Sequence, residues 1–470
     1  MNVRCLGSLV YKTLYRNSSS FLSLHRMLLF ILWTALMGPL ATVQAKGSCY
    51  AYERNPYVLF STYTPYEFVH ENSDDRVDIP KCHPVQFWIL SRHGTRYIKE
   101  DGIKEMWSLR SLRDEIISNL DKRPSEGRLC TQDVENLKKW TPQAVLTLPN
   151  DLTPQGYRDA YYLALRYKSR FPTLLNRSYR PDKFQVQFTD TQRTTLTAFA
   201  FIDGIFGSTV DIELPQPLSP DPVLKPSDYC TAWDEDVNHN PDSMKEANAF
   251  LYGPEMQSVL QSVSRRLGTN ITNENLDNIY TTCRFEKAWH VDSVSPWCAA
   301  FTKDELKILE YKEDLESYYK RGFGNEMNKH VGCPLAKDLL DRFSKLENGE
   351  TQPSGVFYFS HDTDIQLFFT SLGVGKDRIN ITHSNYATMA RRNWRTSLLT
   401  PFASNFAAIF FKCDRGEPFR VQFRLQEKLL RLKGCPHNRW GLCDWSVIKK
   451  KYGYISDTCD LSFCFKEMTE

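Results

Sequence analysis

Val85-Gln86-Phe87-Trp88-Ile89-Leu90 runs, within one residue, into Arg92-His93-Gly94-Thr95-Arg96. The apolar half is rich in β-branched and aromatic residues and too short for a core helix, so it reads as a buried strand. Such a strand delivers Arg92, His93 and Arg96 together at its carboxyl end, where open α/β sheets bind their ligands. Gly94 lets the backbone approach a bound group closely. The two guanidinium forks, planar, charged and bidentate, match phosphate oxygens. A neutral imidazole between them is placed to attack phosphorus. The competing interpretation is a surface Arg/His patch after a strand, and other segments have to decide between the two.

With 470 residues, 41% hydrophobic and 24% charged, the chain has a globular composition and room for two or three domains, or for one domain with a large insertion. Its formal charge is +3, but Arg4, Lys12, Arg16 and Arg26 stand in a front segment without acids, which leaves −1 from residue 46 onward. No basic excess remains for nucleic acid. Residues 1–45 read as a secretory signal, with an apolar run from Met27 to Met37 and small residues at Val43-Gln44-Ala45 for cleavage. That run is too short to span a bilayer comfortably, so no stable transmembrane anchor is expected. Of 13 cysteines, Cys5 falls in the signal and the other 12 form an even set, which in an exported chain reads as disulfides of undetermined pairing. Zinc is disfavoured for Cys435, Cys443, Cys459 and Cys464, none of which has C-x-x-C spacing. Asn176, Asn270 and Asn380 open N-x-S/T glycosylation acceptors. The tail carries neither a retention tetrapeptide nor an apolar anchor signal. The expected location is the secretory pathway, with the protein secreted or held in the ER lumen or at the cell surface.

Further along, Thr153-Pro154-Gln155-Gly156 opens a helix with Thr as N-cap and Pro in its first position, and Tyr157, Tyr161, Ala164 and Tyr167 mark its expected inner face. Phe184, Val186 and Phe188 alternate with glutamines, a strand that leads to Arg193 and an apolar helix. Strand, arginine, helix repeats the arrangement at Arg92. A proline-rich link from Pro215 to Pro226 precedes helical patterns without convincing strands: Pro254 to Leu267, the capping box Thr302-Lys303-Asp304-Glu305, and Leu335 to Leu346. Residues 216–345 therefore read as a mainly helical insertion between two parts, 46–215 and 346–470, of one α/β domain. Val356-Phe357-Tyr358-Phe359 is a strand that delivers Ser360-His361-Asp362-Thr363-Asp364 to a helix, and Phe406 to Phe411 pairs with Phe419 to Leu425 as a hairpin. The fold class is α/β, with a mixed, mostly parallel sheet flanked by helices.

Arg92-His93-Gly94-Thr95-Arg96, Leu152-Thr153-Pro154-Gln155-Gly156, Arg193 before its helix and His361-Asp362 stand in the order found in histidine acid phosphatases, which the chain resembles over nearly all of residues 46–470. Ser61 to Glu67, Ser295-Pro296-Trp297-Cys298, Tyr311 to Leu315 through Arg321-Gly322-Phe323-Gly324, and Pro401-Phe402-Ala403-Ser404-Asn405 are most similar to multiple inositol polyphosphate phosphatases. The resemblance implies a histidine phosphatase-like fold, with His93 as nucleophile and Asp362 as proton donor. It also implies Arg92, Arg96, Arg193 and His361 around the phosphate. No metal and no cofactor is expected. Three arginines supply the charge that so slow a hydrolysis needs, and a metal at His361-Asp362-Thr363-Asp364 would need further ligands.

Two positions depart from the family pattern. Ile98 replaces a usual proline, and Thr363 stands where inositol polyphosphate phosphatases place an acid two residues after the histidine. Asp362 fits the broader acid-phosphatase pattern instead. Asp364 is a weaker donor candidate, whose alternative is a solvent-facing place in the first helical turn. Lys99 is a candidate for extra phosphate contacts or a solvated loop lysine, and Lys449-Lys450-Lys451 reads as a solvated face. The expected partner is a small phosphorylated substrate. The favoured activity is hydrolysis of inositol polyphosphates, linked by the resemblance to bisphosphoglycerate as well. The alternatives are a broad acid phosphatase and a non-catalytic polyphosphate-binding protein.

Overall fold

The apolar run before Arg92 is central because both of its faces find cover. The computed structural model describes residues 49–52, 58–71, 76–122, 127–143, 148–207, 212–436 and 438–465, and the expected signal lies outside them. Strands β1 (Cys82–Arg92), β2 (Phe184–Phe188), β3 (Gly355–Ser360), β4 (Asn405–Cys413), β5 (Phe419–Leu425), β6 (Lys428–Leu430) and β7 (Leu442–Asp444) form one sheet. Its order is β2-β3-β1-β4-β5-β6, with β7 also paired to β5. The sheet is mixed, as the sequence predicts, but it is not mostly parallel. Only β2-β3 and β3-β1 run parallel, while the pairs from β1-β4 outward are antiparallel. Short turns join β4 to β5 and β5 to β6, and a short turn can only reverse the chain, whereas parallel neighbours need long crossovers.

The crossovers are helical. The helices that bear on the site are α1 (Glu100–Lys122), α2 (Pro154–Arg170), α3 (Gln192–Phe206), α4 (Asn273–Trp289), α5 (Lys303–Arg321), α6 (Cys333–Glu347) and α7 (Asp362–Leu372). Period-two alternation sorts the strand side chains between two cores. Phe87, Ile89, Phe357 and Phe359 meet Leu163 and Tyr167 of α2 and Phe201 and Ile205 of α3. Trp88, Leu90, Val356 and Tyr358 meet the opposite layer, including Met106, Leu315, Phe343 and Phe368. Covered on both faces, all six residues of β3 are buried, which is why it reads as a continuous apolar run.

The expected inner face of α2 is out of phase at its start. Tyr157 is 37% exposed, while Gly156, Ala160, Leu163, Ala164 and Tyr167 are buried. Tyr157 keeps its ring at the surface because its hydroxyl donates to Asp203 at 3.1 Å. An amphipathic phenol is satisfied at such a boundary.

Between β2 and β3 every described element is helical, and Cys49–Glu470 forms one compact unit. The disulfides are Cys49–Cys130, Cys82–Cys413, Cys230–Cys464, Cys283–Cys298, Cys333–Cys459 and Cys435–Cys443. Cys82–Cys413 staples register partners of β1 and β4. Six such bonds mark a protein of the oxidising, secretory side of the cell. Among the described residues no helix is long and apolar enough to cross a membrane.

Candidate active site

Three parallel strands end side by side, and each hands the chain to a basic side chain. Arg92 of β1 is the register partner of Ser360 of β3, so His93 and His361 leave the sheet together with ring centroids 5.6 Å apart. Phe188 of β2 pairs with Phe359, and the turn after it starts α3 with Arg193 in its first turn.

The loop after β1 is fixed from beneath. A Cβ added to Gly94 would lie 2.2 Å from the Gly156 carbonyl oxygen, and one added to Gly156 would lie 2.1 Å from that of Thr95. The close approach that Gly94 permits is therefore to the first turn of α2. Thr153 donates to the Thr95 carbonyl through its N–H and its hydroxyl, both at 2.9 Å. The Thr95 hydroxyl donates to Asp159 at 2.8 Å, and the Gly94 N–H donates to the Thr197 hydroxyl of α3 at 3.0 Å. The two glycine-bearing motifs, distant in sequence, are two halves of one backbone contact.

His93 is 2% exposed. Its Nδ1 lies 2.8 Å from the Gly94 carbonyl, which only accepts, so Nδ1 carries the proton and Nε2 keeps its lone pair. Burial, then Arg92, Arg193, His361 and Arg96, hold the imidazole pKa well below its ordinary value. Arg92 donates to the carbonyls of Thr62 and, at 3.0 Å, Thr400, and its guanidinium lies 4.8 Å over the Phe402 ring. Burial pulls its pKa down. Arg96 rests over Phe285 and Tyr63, 5.5 and 5.8 Å from the ring centres. Arg193, pushed down to about 10 by burial and then by Arg96, donates to Nδ1 of His361 at 3.3 Å. That assigns the His361 proton to Nε2, which faces the Thr189 hydroxyl at 2.9 Å. Burial, then Arg193 and Lys225, hold His361 well below its ordinary pKa.

Asp362 begins α7, 3.7 Å from Arg92, with its side chain 23% exposed. Burial raises its pKa, but Arg92, Arg321 and Arg96 outweigh burial and hold it at about 2. The geometry thus gathers His93, Arg92, Arg193, His361 and Asp362 by direct contacts, with Arg96 acting on them through its charge. It adds Arg321, the last residue of α5, whose charge bears on both Arg92 and Asp362. The Arg321-Gly322-Phe323-Gly324 signature was the available signal for it. The Nε atoms of Arg92, Arg193 and Arg321 are buried with no acceptor among the described residues. Leaving guanidinium donors buried and unpaired is costly, and an anion in their midst removes that cost.

Asp364 does not face solvent as the helical-turn argument predicts. It is 1% exposed, accepts the Ser227 N–H at 3.2 Å, and is pushed up to about 7 by burial. Its charged neighbours are Asp228 and Lys225, not the arginines around His93. Lys99 is exposed, and Ile98 is buried in the core.

A family model for the histidine phosphatase superfamily (branch 2) matches residues 85–426. Multiple inositol polyphosphate phosphatase 1 of Drosophila melanogaster is 34% identical over 444 residues, covering 91% of this chain and 92% of that protein. Among solved structures, the phytase from D. castellii superposes with a TM-score of 0.70 at 17% identity over 87% of each chain. The Bifidobacterium longum multiple inositol polyphosphate phosphatase, in complex with inositol hexasulfate, superposes with a TM-score of 0.63 at 15% identity, over 83% of this chain and 96% of that one. These two structures are alike in fold. A family match that runs from β1 into the turn after β5, over the same residues that build the cluster around His93, makes this chain a member of branch 2 of the histidine phosphatase superfamily.

Proposed function

We propose that the protein hydrolyses phosphomonoesters of inositol polyphosphates, inositol hexakisphosphate among them, through a phosphohistidine on His93. The observation that carries this reading is a neutral imidazole with a free Nε2 beside buried guanidinium groups that have spare donors. Nε2 attacks phosphorus, the ester P–O bond breaks, and the departing oxygen takes its electron pair and the proton of Asp362. Asp362 then takes a proton from water as that water attacks phosphorus. The P–N bond breaks, and inorganic phosphate leaves. Arg92, Arg96 and Arg193 stabilise the spread phosphoryl charge. His361 acts on the phosphate by orienting Arg193.

Asp362 is ionised in the unliganded site. A phosphate dianion among the arginines offsets their field, so the carboxyl gains its proton as substrate arrives. The substrate class rests on the fly relative and the B. longum complex, with the helical segment 216–345 contributing the wall that sets specificity. Bisphosphoglycerate belongs to the same reading. A broad acid phosphatase is the second, favoured by an acid that follows His361 directly. The exposed Asn176, Asn270 and Asn380 fit a glycosylated protein, secreted or held in the ER lumen or at the cell surface.

Phosphate release from inositol hexakisphosphate and from an aryl phosphate, measured side by side with chelator present, tests this. Release from the inositol substrate, lost in His93→Ala, is expected. Release from the aryl ester alone favours the broad phosphatase, and silence on both in a folded preparation leaves a binding protein.

A further inference from the structure

A second basic site lies away from His93. A cavity of about 720 Å³ opens between the C-terminal end of α7, the β5–β6 edge and the helix Trp445–Tyr452. The volume is that of a site for a compact ligand. Lys329, Lys376, Arg378, Arg431, Lys433 and Lys451 line it, against two carboxylates, Glu326 and Asp377. Both carboxylates are already engaged. Glu326 pairs with Lys329 at 3.2 Å, and Asp377 accepts the N–H groups of Asn393 and Trp394 at 2.7 and 3.1 Å. Lys451 donates to the Lys433 carbonyl, so two ammonium-bearing residues are held together with no acid between them in this contact. Its neighbour Lys449 is neutralised by Glu347 at 2.7 Å. The run Lys449-Lys450-Lys451 is thus not uniformly a solvated face, because one of its charges lines a concave site in a chain whose residues from 46 onward carry a net −1.

We propose that this cavity binds a compact polyanion bearing several phosphate or sulfate groups, and that its occupancy reaches the catalytic centre. The path is structural. Asp362 starts α7 and Leu372 to Gly375 lines the cavity at its other end, a separation of about 16 Å along an eleven-residue helix. Phe323, in the cavity wall, is two residues from Arg321. Leu399, also in the wall, precedes Thr400, whose carbonyl holds Arg92 at 3.0 Å. The inference stands whether or not inositol polyphosphates are the substrate.

The test is calorimetric titration of the full secreted protein with inositol hexasulfate, which is not a phosphate ester. Two binding events are expected, the cavity event weakening steeply with salt. Lys433→Glu combined with Lys376→Glu should weaken that event at least about tenfold and leave aryl phosphate hydrolysis in the absence of hexasulfate unchanged. Arg378→Ala serves as a milder variant if the double one folds poorly. In the wild type, hexasulfate at cavity-saturating concentration should change the kcat for aryl phosphate, and it should not in the cavity variants. A sulfated disaccharide in place of the ring compound distinguishes a carbohydrate source from an inositol one. A titration with no event that either variant weakens overturns the site, whereas a single event that the variants weaken places hexasulfate in the cavity alone and supports it. An unchanged kcat overturns the coupling. Failure to hydrolyse inositol hexakisphosphate would remove the proposed substrate and leave this site untouched.

Discussion

The molecule buries guanidinium groups in two ways. Arg166 forks onto Glu427, with Nε 3.0 Å from each carboxylate oxygen and Nη2 at 2.7 Å, and Arg170 and the Tyr66 hydroxyl complete the carboxylate's shell at 3.2 and 2.7 Å. Arg392 bonds Asp314 and, at 3.2 Å, Glu310. Burial opposes the charge of Arg166 and Arg392, but the carboxylates win and raise both pKa values. Around His93 the net sign reverses: burial outweighs what the neighbouring charges return, and Arg92 and Arg193 are lowered. A lowered arginine does not by itself mark a site, as Arg424 shows, pushed down to about 10 chiefly by burial, with Gln422 and the Glu427 carbonyl as hydrogen-bond acceptors. What sets the site apart is the conjunction of lowered arginines, buried Nε atoms without acceptors, and a neutral imidazole. The fold forks Arg166 and Arg392 directly onto carboxylates, whereas around His93 the Asp362 carboxylate stands 3.7 Å from Arg92 and the buried Nε atoms of Arg92 and Arg193 have no acceptor among the described residues.

The strongest way to break this contrast is His93→Ala. If the cations around His93 serve a phosphoryl group in transit to Nε2, turnover should fall by about 10⁴-fold or more, while the melting temperature stays close to the wild type. Retained activity would contradict a phosphohistidine on His93. Asp362→Asn follows. An amide cannot give a proton to a poor leaving group, so alkyl phosphate hydrolysis should fall by about 10²- to 10⁴-fold, with much less loss for p-nitrophenyl phosphate. Equal losses on both substrates would remove the acid role.

The third prediction sets the two kinds of arginine against each other. Arg193→Ala should cost about 10²- to 10³-fold in kcat yet leave stability unchanged or raised, because it deletes a desolvated charge without orphaning a carboxylate. Arg166→Ala leaves Glu427 buried beside only Arg170 and Tyr66, and should cost about 3–5 kcal/mol of stability with little change in kcat per folded molecule. Denaturant melts and specific activity on the same preparations check both. Matching losses of stability would erase the distinction.

Legibility in the sequence followed the range of the contacts involved. Arg92, His93, His361 and Asp362 were readable because each sits where a local apolar run stops, and Arg193 because its strand and helix repeat that pattern. Arg321 was visible only inside its Arg321-Gly322-Phe323-Gly324 signature and without a role, since it closes a helix and reaches the site only through the packing of α5 on α7, where its carbonyl accepts the Thr370 hydroxyl at 3.0 Å. The antiparallel half of the sheet was under-read because β6 and β7 have three residues each, too short to show a period. Gly94 was readable as a close-approach residue but not the surface it approaches, since its contact with Gly156 is a tertiary one.

Asp364 gives the smallest effect and the finest test. Every residue of α7 from Asp364 to Leu372 is buried, so the expectation that its first turn faces water fails, and burial lifts the carboxyl from 3.8 to about 7. Between these values the folded protein keeps a proton that the unfolded chain has released, so this group's stabilisation is present at the acid end and is lost as pH rises towards 7. His93 and His361, lowered from 6.5, act in the opposite sense: below that pH the unfolded chain takes up protons that the folded one refuses, so their contribution grows as pH rises. Asp364→Asn removes only the first effect. The melting temperature of the variant minus that of the wild type should therefore climb by a few degrees from about pH 4 to about pH 7, with kcat unchanged. A flat difference would mean that Asp364 is ionised in place, compensated by Lys225, and that this flank of the site resembles the carboxylate-paired scaffold more than the lowered arginines beside it.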